Sequence, residues 1–110
     1  MVGMATELLD AAIASVKRAA RDLPPGMEPA ELSAQIAAAR ELGWALDQFV
    51  KSVAACYEHL GGSLRHDQGD DPVVAVEVVR LRLGDIAARL EEADQALGEA
   101  HNHAARIARA

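Results

Sequence analysis

Two stretches of this chain repeat apolar residues at alternating spacings of four and three, and no other feature constrains its fold as tightly. In the first, Leu32, Ile36, Ala39, Gly43, Leu46, Val50, Val53, Tyr57 and Leu60 keep the rhythm without a slip. In the second, Val76, Val79, Leu83, Ile86, Leu90, Ala93, Leu97, Ala100, Ala104 and Ile107 do the same. A mean spacing of 3.5 residues holds one apolar stripe of an α-helix against a neighbouring helix along its length. A strand, whose faces alternate every second residue, would scatter these side chains to both sides. Leu42, Phe49 and Cys56 form a row beside the first stripe and widen it.

Breakers set the ends. Pro29 suits the first position of a helix and Gly61 with Gly62 closes it, so a helix is expected over about 29–60. Asp71 followed by Pro72 is a good N-cap and first turn, and the helix it starts should reach about 108. The residues between, 61–71, lack periodicity and read as a mobile connection. An earlier helix is expected over about 5–23, with Leu9, Ile13, Val16, Ala20 and Leu23 on one face. Glu7 and Asp10 lie in its early turns, Lys17, Arg18 and Arg21 lie near its end, and Pro24, Pro25 and Gly26 stop it.

At 1.5 Å per residue the two long helices span about 46 and about 55 Å, lengths that match as an antiparallel hairpin. The sequence therefore predicts one all-α domain over residues 1–110, a long antiparallel helical hairpin with a shorter N-terminal helix. The Pro-Pro-Gly link should fold the short helix back along the N-terminal half of the second and beside the C-terminal half of the third.

Such docking leaves the loop end of the hairpin bare. There Phe49, Val53 and Tyr57 lie opposite Val73, Val74, Val78 and Leu81, which with Val76, Val79 and Leu83 surround the third helix almost completely. A helix apolar all round is normally buried all round. The expectation is a two-fold dimer through these residues, giving a dimeric helical bundle. The competing arrangement packs the first helix, or the loop, over the valine-rich end.

Composition supports thin cores and closely spaced helices: 51% of residues are hydrophobic, but only 3% are aromatic, and alanine makes up much of the difference. A domain this small buries little, so partners often supply the remainder of its core. The net charge of −6 and pI near 5.1 disfavour nucleic acid as a partner. Lys17, Arg18 and Arg21 are the one dense basic cluster, and they fit the negative end of a helix dipole. Cys56 stands alone, so no intramolecular disulfide can form. Neither an ordinary signal peptide nor an apolar run of about 18 residues is visible, so a cytoplasmic protein without a membrane partner is expected.

Candidate chemistry is sparse. Cys56 and His59 share a helix face and suit a soft metal, but a small core residue is the commoner fate of such a cysteine. His101 and His103 point to different faces and, with Arg106 and Arg109, complement a helix C-terminus. Glu91, Glu92, Asp94 and Glu99 lie mainly outside the heptad stripe and read as a solvated acidic face, since the opposing stretch offers only Glu41. Gly43 interrupts the stripe, which suggests that a neighbouring helix approaches closely there. Trp44 beside it is expected in the core, with partner anchoring as the other reading. Trp44, Cys56 and His59 are thus weak ligand candidates, and no cofactor, metal or catalytic residue is expected.

In length and hairpin architecture the chain resembles the small helical-hairpin substrates of type VII secretion. Their Trp-x-Gly turn motif is absent: Leu42-Gly43-Trp44 falls mid-helix and the turn reads Gly61-Gly62-Ser63, so the resemblance transfers no functional residue. The expected function is a non-catalytic helical interaction or assembly module acting as a homo-oligomer, with itself as partner and another protein as a further candidate. The alternatives are a small-ligand or metal-binding bundle and, less favoured, a DNA-associated accessory protein.

Overall fold

The structure, a computed structural model, describes residues 2–60 and 64–110. Three helices and no strand occur among the described residues: α1 (Val2–Arg21), α2 (Pro29–Glu58) and α3 (Pro72–Ala104). Pro29 and Pro72 both open their helices. The Asp71 side chain accepts a 2.9 Å hydrogen bond from the Val73 amide, the N-cap its position implied. The helix ends fall short of the expected limits. α2 stops at Glu58, where the His59 amide donates to the Cys56 carbonyl and the Leu60 amide to the Tyr57 carbonyl, and α3 stops at Ala104, before a last loose turn. The Gly61–Ser63 part of the expected connection lies outside the described residues. The remainder carries a turn in which the Gly69 amide donates to the His66 carbonyl, with Gly69 at φ +82° where a side chain would be strained.

α2 and α3 pack together along their length. Arg40 meets Asp94, Glu58 meets Arg80 and Glu28 meets Arg109, an order of contacts that makes the pair antiparallel. α1 packs on neither helix, so the expected fold-back of the first helix is not what the structure has. Most of its stripe stays in solvent, with Ile13 50% and Val16 43% exposed. Three residues restrict the link physically. Leu23 and Pro24 each precede a proline and so favour extended backbone, and Pro24 and Pro25 have fixed φ. The result is an elongated molecule of 65 × 26 × 21 Å with a radius of gyration of 18.9 Å, against about 13 Å for a compact domain of this length.

The hairpin seam is rotated relative to the heptad reading. The central rows are the expected ones: Ile36, Gly43, Val50 and Tyr57 on α2, and Val76, Leu83, Leu90, Leu97 and Ala104 on α3 are all half-buried. Their companions differ. Ser33, Asp47 and Ala54 turn inward on α2, and Arg80, Ala87, Asp94, Gly98 and His101 on α3. Leu32, Leu46, Leu60, Ile86 and Ile107, read as seam residues, are exposed. Among the described residues no apolar side chain is buried, and the buried positions are Ser33, at 8% exposure, and Gly98. Small and polar side chains at the contact bring the helices together at the cost of a dry core.

Candidate functional site

The rotated seam gives the hairpin two unlike flanks. In a helix, positions three and four residues after a central row lie on opposite sides of it. For two antiparallel helices, the two sets at +4 share one flank of the pair and the two sets at +3 share the other.

The +4 flank is polar. Arg40 forks onto Asp94, its Nε donating at 2.8 Å and its Nη2 at 3.2 Å. This hydrogen bond, helped by the opposite charge, holds the Asp94 carboxyl below its ordinary range and raises the Arg40 guanidinium. Arg80 donates to Glu58 across the pair at 2.6 Å and to Glu77 on its own helix at 2.7 Å. Its pKa is raised, chiefly by the bond to Glu77. Lys51 pairs with Asp47 at 2.9 Å, and the other Asp47 oxygen is buried without a partner. At Gly98 a Cβ would lie 3.0 Å from the Arg40 guanidinium carbon, so a side chain there displaces the end of that arginine. The sequence pattern puts Asp94 on a solvated acidic face; its partner on α2 is basic, not a second carboxylate, and lies 54 residues away in the chain.

The weak ligand candidates do not come together. Trp44 is exposed, not in the core, beside a shallow hollow lined by Gly43, Asp47, Leu90 and Asp94 on this polar flank. Gly43 lies in the central row, but the helices are not so close there that glycine is required, since a Cβ added there meets nothing within 4 Å; the tight spot is Gly98, against the Arg40 guanidinium. Cys56 is exposed rather than a core residue, and His59 caps α2 through its backbone. Among the described residues no group of three or more His, Cys, Asp or Glu is placed to hold a metal ion. His101 is half-buried and His103 exposed. Arg109, read as a complement to the helix end, pairs with Glu28 at 2.8 Å and ties the open ends of α2 and α3 together.

The +3 flank is apolar and bare. In the register set by Glu58–Arg80, Arg40–Gly98 and Glu28–Arg109, its residues stand side by side as rungs: Val53 with Ile86, Leu46 with Ala93, and Ala39 with Ala100. Leu60 with Val79 and Leu32 with Ile107 extend it at the ends, Leu60 and Ile107 lying just past their helices. Leu46 is 46% and Ile86 43% exposed, while Val53 and Val79 are half-buried. Leu42 and Phe49 border it on α2.

At the loop end, Val74, Val78 and Leu81 form a short stripe on the side of α3 away from α2, and Val73 is exposed nearby. Phe49 is 38% exposed, and Tyr57 is half-buried near Leu60, Leu64 and Val73. The residues named for an interface therefore do not form one patch: Val74, Val78 and Leu81 face outward from α3, while Val53 belongs to the apolar flank. The described loop lies against Val74 and Val78 through His66, Asp70 and Asp71 without covering them.

No described helix is long and apolar enough to cross a membrane. Comparison of the chain with protein-family models, with curated proteins and with solved structures found no match.

Proposed function

We propose that this protein is a non-catalytic helical assembly module that acts as a homo-oligomer, completing through protein contacts the core that one copy lacks. One observation carries the reading: the chain exposes 8810 Å², against about 5,800 Å² for a folded monomer of its mass. The surplus of about 3,000 Å² per chain is more than the roughly 1,000–2,500 Å² that each partner of an obligate pair covers. The bare flank, the valine stripe and the undocked α1 are where that surplus is apolar. Val73, Val74, Val78 and Leu81, with Phe49, Val53 and Tyr57 at the same end, are the proposed contact residues at the loop end.

Sedimentation equilibrium across a wide concentration range tests the proposal. The expected result is a dimer or larger species, weakened in Val78→Glu and Leu81→Glu. A cooperatively folding monomer at all concentrations overturns the homo-oligomer. An oligomer unchanged in both variants removes the loop end from the contact and leaves the assembly reading standing.

A further inference from the structure

We infer that the apolar flank of the hairpin is the face on which a second copy of this chain lies, the two hairpins running antiparallel to form a four-helix layer. The inference rests on the homo-oligomeric reading above and assigns its surface.

Area calls for a second copy whether or not α1 docks on its own hairpin. Docking α1 on its own hairpin would remove about 1,600 Å² if it made a contact of standard size. That leaves about 1,400 Å² of surplus per chain, within the range each partner of an obligate dimer covers. The flank supplies a little over half of that. From Leu32 to Leu60 it runs about 42 Å, and two helices side by side, each about 10 Å across, make it about 20 Å wide, a face of about 800 Å². That is what each side of a stable interface buries.

The order of side chains along the flank selects the direction. Its three inner rungs are large, medium and small: Val53 with Ile86, Leu46 with Ala93, Ala39 with Ala100. A parallel pairing stacks like on like. One layer would hold two Val53 and two Ile86, and another four alanines, which cannot all be filled at one helix spacing. With the second copy reversed about the Leu46–Ala93 rung, α2 lies on α2 and α3 on α3. Val53 and Ile86 then meet Ala39 and Ala100, and Leu46 and Ala93 meet their own counterparts. Every inner layer has two large and two small side chains, the alternation that close packing requires. The outer rungs, Leu60–Val79 and Leu32–Ile107, meet each other. Reversal also sets the two valine-rich tips at opposite ends of the dimer, so the loop-end contact proposed above joins one dimer to the next in the larger species.

Full-length chain with Cys56→Ser provides the background for a test with a short bismaleimide at protein concentrations where the dimer persists. Leu46→Cys is expected to crosslink to itself, as is the milder Ala93→Cys, because each faces its own copy across the two-fold. Leu46→Glu is expected to raise the dimer dissociation constant at least about 100-fold in sedimentation. Self-crosslinking at neither position in a chain that still associates overturns the flank and leaves the homo-oligomer intact. Crosslinking of Leu46→Cys only to Ala93→Cys in a mixture overturns the antiparallel direction. Crosslinking only to a cysteine placed at Ile13 gives the flank to α1 and also overturns it. A monomeric parent sinks this inference together with the reading on which it rests.

Discussion

The two flanks of the hairpin contain neighbouring residues in the chain, Leu46 and Asp47, yet they solve opposite problems. The polar flank is closed within one copy: Arg40–Asp94, Arg80–Glu58 and Lys51–Asp47 use charge that would otherwise face water. The apolar flank has nothing comparable, and Leu46 stands almost half exposed beside an Asp47 side chain that is only 14% exposed. Charged pairs at a surface fix register and contribute little free energy. Exposed apolar rungs contribute nothing until they are covered, and then about 25 cal/mol for each Å². The polar side therefore sets how the two helices align, and the apolar side holds the stabilisation still to be gained.

The sharpest way to break that contrast is a charge on each side. Leu46→Glu should lower thermal stability at association-favouring concentrations by about 3 kcal/mol or more, since it places an unpaired charge in the proposed interface. A melting temperature matching the parent would mean that the flank is open to water in solution. Asp71→Ala touches neither flank and sets the scale for a single local bond. Losing its cap on Val73 should cost about 1 kcal/mol by chemical denaturation.

Glycine substitutions sharpen the comparison further. Gly84 lies on the polar side in open space, so Gly84→Ala should stabilise by up to about 1 kcal/mol through helix propensity. Gly98→Ala should gain less, because the Arg40 guanidinium must move aside. An equal gain at both sites would show that the Arg40 fork adds nothing. The smallest effect belongs to Arg40→Gln and Asp94→Asn, each within the range of ordinary surface substitutions and reduced further by added salt. The sign with pH follows from the lowered Asp94 value. The pair contributes above the carboxylate's ordinary pKa, and the contribution disappears as pH falls through the lower folded-state value. In Asp94→Asn that acid-side slope should be shallower, as urea titrations at several pH values would register.

Most of the architecture was legible along the chain. Pro29, Asp71 and Pro72 start helices where their backbone chemistry requires, and the heptad rows placed Gly43, Val50, Leu83 and Leu90 at the contact. The side of those rows that would turn inward was not legible, because Leu46 and Asp47 lie on either side of the same seam. Hydrophobicity favours the leucine, while an Arg40 reaching Asp94 and a glycine at 98 favour the aspartate's side. Pairings 54 residues apart have no local signature. Cys56, on the apolar side of the seam, is turned out by the same rotation, whereas Trp44 lies on the polar side, exposed with no third helix over it.

By itself, then, the sequence determined helix, boundary and pairing partner, since backbone geometry and apolar period act over a few residues at a time. Only the tertiary structure decided the rotation of α2 against α3 and the detachment of α1. Those depend on contacts between residues distant in the sequence and on the stiffness of the proline link, and they determine which surface is left uncovered.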